Sequence, residues 1–180
     1  MGAENLIRRR IAWIYAMTAA GILLWLGAIV GAPWLWSRGL RGAGFLYACF
    51  APVCHQIPER SFFISGFPMA VCARCFGIYA GFAGGLILYP FRRGFSRLRL
   101  PPLKALILVS APIVLDTAAN FLKIWDTRDV LRFLSGILWG TILPFYFITG
   151  LGELFALRSI QKAARSESDS DSSETREIPQ

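Results

Sequence analysis

Between residues 49 and 75 the chain gathers all four of its cysteines and its single histidine: Cys49, Cys54, His55, Cys72 and Cys75. A Cys-His pair followed by a Cys-x-x-Cys pair concentrates soft ligands and redox-capable groups, and three chemistries fit it. The first is a metal site. Cys54, His55, Cys72 and Cys75 make a three-thiolate, one-imidazole set suited to tetrahedral zinc, with the ligand pairs separated by a loop. Adjacent Cys54 and His55 crowd one ion, so Cys49 stands as the alternative ligand and would release the imidazole for acid–base work. The second is thiol redox, with Cys72-x-x-Cys75 cycling as a catalytic disulfide and Cys49 and Cys54 as a second pair, as in quinone-linked thiol–disulfide oxidoreductases. The third is structural, two disulfides bracing the loop of a non-catalytic membrane subunit.

A second group of polar residues lies deep in apolar sequence. Asp116, Asn120 and Lys123 are spaced four and seven apart, which puts them on one helix face. Ionisable side chains at such depth are expensive and point inward, usually toward a partner. Arg74, Arg128 and Arg132 are the available partners, and a buried ion pair that pins helix registry is the bland alternative to a functional site.

The elements that must position these groups are membrane helices. Of the residues, 55% are hydrophobic, six are tryptophan, and the charges are clustered rather than interspersed, which is not how a soluble domain covers itself. Four segments reach the roughly 20 apolar residues a spanning helix needs: about 11–36, 68–89, 103–124 and 130–157. Pro68 suits a first helical turn, where a missing N–H is no loss. In a helix starting there, Cys72 and Cys75 share a face near a positive dipole end that favours thiolate. Gly77, Gly81 and Gly85, with Gly136 and Gly140 in the fourth span, repeat at intervals of four, the spacing that lets helix backbones approach in lipid. The expected fold is an all-α integral membrane protein, four transmembrane helices in a compact bundle with a Cys/His-containing external loop between helices 1 and 2.

Residues 1–10 form a basic N-terminus. Arg8, Arg9 and Arg10 precede an apolar run that is too long for a cleaved signal and lacks a small-residue cleavage pattern, so it reads as an uncleaved anchor. The domain of 11–165 is followed by a Ser/Asp/Glu-rich tail, 166–180, whose composition predicts disorder. That tail carries a net −4, so the rest of the chain holds about +12 against a total of +8; such an excess suits anionic headgroups at an inner leaflet. With both termini cytoplasmic, Arg8 to Arg10, Arg92, Arg93, Arg97, Arg99, Lys104, Arg158, Lys162 and Arg165 fall inside, which satisfies the positive-inside bias and places the Cys/His segment outside. The expected location is the cytoplasmic membrane of a prokaryote. No nucleic-acid motif, phosphate loop or long repeat is present.

The strings Cys54-His55-Gln56, Glu59-Arg60-Ser61-Phe62, Cys72-Ala73-Arg74-Cys75 and Gly77-Ile78-Tyr79 with Gly81 resemble the signature of an uncharacterised family of small multi-pass membrane proteins of bacteria and archaea, defined only as a domain of unknown function. Asp116, Arg132, Ser135-Gly136 and Gly140 are similar to its later hallmarks, while Asp129 stands where that pattern has Asn. The resemblance covers roughly Cys54 to Gly140 and implies a membrane location with no assigned activity. Its pattern begins at Cys54 and omits Cys49, which leaves a core of three cysteines and His55 and favours a metal over two disulfides.

The functional expectation is a zinc-type site beside an Arg/Asp pocket on the external face, handling an anionic lipid, an isoprenoid carrier or another phosphate-bearing substrate. His55, Arg60, Asp116 and Arg132 are the candidate catalytic residues, and Gln56, Arg60, Arg74, Tyr79 and Asn120 the candidate substrate contacts. Zinc is the expected cofactor, or quinone under the redox alternative.

Overall fold

The structure, a computed structural model, describes the backbone of residues 2–93, 102–122, 124 and 127–174, and the side chains of 5, 8–91, 102–122, 124 and 127–155. In chain order it comprises α1 (Gly2–Ser37), α2 (Gly42–Phe50), a one-turn 3-10 helix (Pro58–Arg60), β1 (Phe63–Ile64), β2 (Phe67–Pro68), α3 (Ala73–Arg93), α4 (Leu103–Phe121) and α5 (Asp129–Glu174). Among the described residues three helices are long and apolar enough to cross a membrane, by length and composition: Arg8–Ser37 within α1, Leu103–Phe121, and Asp129–Phe155 within α5. The sequence predicted four. The exception is α3, whose apolarity is diluted by Arg74 in its first turn and by Gly77, Gly81, Gly84 and Gly85.

That glycine dilution has a packing reason. A Cβ on Gly77, Gly81 or Gly85 would collide with the carbonyls of Phe133, Ile137 and Thr141 of α5, and one on Gly136 or Gly140 with those of Arg74 and Ile78 of α3. The clash at Gly81 would leave only 2.8 Å to the Cα of Ile137. The pairs climb together along both helices, so α3 and α5 run parallel, seamed backbone to backbone, with α4 returning between them in sequence. Helix α1 runs the other way: the Tyr15 hydroxyl donates to the Leu86 carbonyl at 3.1 Å, and Ile11 packs with Leu86, Tyr89 and Ile148. At the opposite end Ile29 and Ala32 of α1 pack with Phe50, Cys54, Met69, Ala70 and Val71.

The segment expected to be a loop after the first span contains regular structure of its own. Helix α1 stops at a Schellman arrangement, with Gly39 at φ +67, Leu40 N–H donating to the Leu35 carbonyl at 3.1 Å and Gly39 N–H to Trp36 at 2.9 Å. Helix α2 folds back on α1 through edge-on contacts of Trp36 with Tyr47 and Trp25 with Phe50. Next comes a hairpin pairing Phe63 with Pro68 and Ile64 with Phe67. Its two turn residues, Ser65 and Gly66, both have positive φ, the type I′ geometry that matches strand twist. This corrects the expected start of the second span: Pro68 belongs to a strand, and the helix begins five residues later at Ala73. Phe62 then stacks edge-on with Phe76 and Phe133, which ties the hairpin to α3 and α5. Beyond its apolar part, α5 remains helical to Glu174, past Ser166 where the acidic tail begins.

Candidate functional site: a three-cysteine cluster in an arginine-lined cavity

Two short pieces of chain, one carrying Cys54 and the other Cys72 and Cys75, converge at the start of α3. Cys54 ends the turn after α2, its N–H bonded to the Phe50 carbonyl at 3.0 Å. Cys72 caps α3, its carbonyl accepting from Phe76 N–H at 2.9 Å, and Cys75 lies in the first turn. The sulfurs of Cys54, Cys72 and Cys75 all lie within 4.8 Å of one another, with Cys54 buried and the other two partly buried. All four cysteines are free thiols. Zinc–thiolate bonds of about 2.3 Å set sulfurs roughly 3.8 Å apart around a tetrahedron, so the trio fits three corners of such a site with modest closure.

Gln56 holds this convergence. Its backbone is left-handed at φ 50, and its side-chain amide donates to the carbonyls of Tyr47 and Ala70, both at 2.8 Å. One side chain thus ties α2 to the irregular segment between β2 and Cys72. The electrostatics of Cys54 follow from its neighbours. The Cys72 thiol and then the Cys75 thiol donate to its sulfur, and the backbone N–H groups of Cys72, at 3.2 Å, and Gln56 add to them. Together they outweigh burial and hold the Cys54 thiol well below the usual range.

The cluster forms part of the wall of a cavity of about 690 Å³ lined also by His55, Gln56, Arg60, Arg74, Asn120 and Arg132. No carboxylate lines it among the described residues. His55 and Arg60 are exposed at its rim, and His55 lies outside the close group of sulfurs. Cys49 is exposed on α2, also apart from the trio. Tyr79 packs beside the cysteine cluster but lines a separate apolar groove of about 670 Å³ with Trp13, Met17, Trp25, Phe82 and Phe147.

Asp116 sits behind the cavity rather than in its lining. One carboxylate oxygen takes the Arg74 guanidinium, and the other takes Thr127 and, at 3.1 Å, the amide of Asn120. That amide also donates to Thr127 at 2.7 Å, and its oxygen accepts from Arg132 at 2.9 Å. Arg132, only 4% exposed, reaches Asp129 at 3.3 Å as well. The expected face of Asp116 and Asn120 is therefore real, with Arg74 and Arg132 as partners; Lys123, the third residue expected there, lies outside the described residues. Two participants went unread in the sequence. Thr127 sits in a short connection with no periodicity, and Asp129, an unexplained departure from the resembled pattern, is a partner of Arg132.

The chain is similar to an uncharacterized protein of Methanocaldococcus jannaschii, 41% identical over 103 residues that make up 57% of this chain and 66% of that protein, just under two thirds of its length. It is also similar to an uncharacterized protein of Methanothermobacter thermautotrophicus, 36% identical over 88 residues, 49% of this chain and 78% of that protein. No solved structure matches it. Residues 54–146, which begin at the first cysteine of the trio and run through α5 to Tyr146, match a family described as predicted membrane protein (DUF2085), and the chain belongs to that family.

Proposed function

We propose that this membrane protein crosses the bilayer four times and holds a zinc-type metal through Cys54, Cys72 and Cys75 at its external face. In this reading α3 spans with the three apolar helices. Its 21 residues reach about 31 Å at 1.5 Å each, and its polar first turn faces the cavity rather than lipid. The antiparallel course of α1 against α3, and the parallel course of α5 with α3, put the N-terminus and the distal end of α5 on one side. The basic residues Arg8 to Arg10 mark that side as cytoplasmic, in the cell membrane of a prokaryote.

The single observation that carries the metal reading is the approach of three sulfurs within 4.8 Å, in the same wall as Arg60, Arg74 and Arg132. Three thiolates leave one position of a tetrahedron, on which His55 or a substrate atom converges from the cavity. The arginines suit an anionic group, so the substrate class is an anionic lipid, an isoprenoid carrier or another phosphate-bearing molecule. His55, Arg60 and Arg132 are the candidates to act on it, with Asn120 and Arg74 as contacts. Elemental analysis of detergent-purified protein tests this: about one zinc per chain is expected, and a metal-free protein after growth with zinc overturns it.

A second reading, quinone-linked thiol–disulfide exchange, is favoured by the apolar groove. Cys75 and Tyr79 lie one turn apart on the same face of α3, with Tyr79 lining the groove. A quinone there would take two electrons and two protons from a pair of thiols. Stable, metal-free disulfides that cycle with added quinone would support this reading instead.

A further inference from the structure

Among the described residues, one buried side-chain polar atom has no hydrogen-bond partner: Nε of Arg74. Its guanidinium is otherwise engaged, since Nη2 donates to Asp116. Buried donors without partners are rare in folded proteins and each calls for an explanation. Arg74 lines the cavity, whereas Asp116 does not, so the carboxylate grips the guanidinium from behind. Asp116 is itself fixed by Thr127 and Asn120, which leaves the Arg74 plane little freedom to turn.

We infer that Arg74 is the anchor for a tetrahedral phosphate group in this cavity, donating through the guanidinium N–H groups that Asp116 does not take, and that Asp116 is the residue that positions it. This deepens the anion-handling reading above and rests on it. The three arginines then have unequal tasks. Arg132 is buried and its guanidinium is committed to Asn120 and Asp129, so it contributes charge more than contacts. Arg60 is exposed at the rim and its guanidinium makes no hydrogen bond or ion pair with the described residues, which suits it to closing over a ligand. Arg74 alone combines burial, a fixed plane and an unsatisfied N–H. Two sources share this chemistry, a phosphate-bearing lipid headgroup and a free phosphate.

The discriminating variant is Arg74→Lys, which keeps the positive charge and the pairing to Asp116 but removes Nε–H and the planar fork. Full-length protein in detergent is titrated with inorganic phosphate by calorimetry, and protein in phosphatidylcholine vesicles with and without phosphatidic acid is compared by thermal stability. Binding of phosphate that weakens about tenfold or more in Arg74→Lys supports the anchor with a soluble ligand. Stabilisation by phosphatidic acid alone, lost in the same variant, supports it with a headgroup. No effect of either probe, or equal binding by Arg74→Lys and wild type, overturns it. Asp116→Asn, which keeps the side chain's shape, is expected to weaken binding to a similar extent without removing any cavity-lining group. Zinc content is measured on the same samples. Zinc without phosphate binding ends this inference and leaves the metal site standing, whereas Arg74-dependent binding without zinc does the reverse.

Discussion

The backbone N–H of Cys72 points at the sulfur of Cys54 across 3.2 Å, linking residues 18 apart in sequence. A helix-start amide aimed at a sulfur favours its charged form, and the thiols of Cys72 and Cys75 push in the same direction. The cluster is thus built to keep one thiolate.

That bias has a signed consequence for metal-free protein. The folded Cys54 pKa is depressed, so its contribution to stability is complete above the unfolded thiol value of about 8.5 and is lost as pH falls through the folded value. The melting temperature is expected to drop steadily between about pH 9 and pH 6, and Cys54→Ser to flatten that slope. A variant with the wild-type pH profile would contradict the assignment.

Metal retention is expected to sort the cysteines. Cys49→Ser should keep zinc at the wild-type level, because Cys49 lies apart from the trio, while Cys54→Ser and Cys75→Ser should each lose most of it. His55→Ala reports on the fourth position. Retention with loss of about tenfold or more in affinity identifies the imidazole as ligand, and unchanged affinity assigns the position to a cavity molecule.

The seam between α3 and α5 offers a matched pair of substitutions. Gly81→Ala sets a methyl group 2.8 Å from the Ile137 Cα, and overpacking of this kind costs about 1–3 kcal/mol or more. Gly84→Ala, three residues on, meets nothing within 4 Å and removes a helix-weakening glycine worth about 1 kcal/mol. Opposite shifts in thermal aggregation temperature in detergent are the expected result; equal shifts would refute the backbone seam.

The Asp116–Arg74 pair is tested by a double-mutant cycle. Both side chains are mostly buried, at 11% and 23% exposed, and removing one partner of such a pair costs about 3–5 kcal/mol by leaving the other charge uncompensated. Asp116→Ala and Arg74→Ala are each expected to destabilise strongly, and the double variant by much less than their sum. Additive effects in unfolding experiments would show the two groups to be uncoupled.

Much of this arrangement was legible in the residue order. Glycine spacing announced the α3–α5 contact, because in an apolar helix a repeated missing side chain has little other use. The depth of Asp116 announced an inward polar face with Arg74, Arg128 and Arg132 as candidate partners, because an unpaired carboxylate at that depth is too costly; Arg74 takes Asp116 and Arg132 takes Asn120. What escaped was the stretch from Ser37 to Cys72. Phe62-Phe63-Ile64 before Ser65-Gly66 carries a hairpin signal, but apolar strands of two residues beside a membrane span look like more membrane, and Pro68 read as a helix start. The division of labour among polar residues was also hidden. The expected topology brings Gln56, His55 and Asp116 to one end of the bundle, yet only coordinates separate the amide that ties α2 to the segment before Cys72, the imidazole at the rim and the carboxylate behind the wall.

Gln56 closes the question of what keeps the sulfurs in range before any ion arrives. Its amide grips Tyr47 and Ala70 at once, from a backbone conformation that residues other than glycine adopt at a cost of about 1–3 kcal/mol. The polypeptide behaves like a drawstring with one of its knots at Gln56, beside the Tyr47 hydroxyl on the Pro68 carbonyl and the Cys72 N–H on the Cys54 sulfur: loosening that knot slackens the hold on the two cysteine-bearing ends while every thiol stays chemically intact.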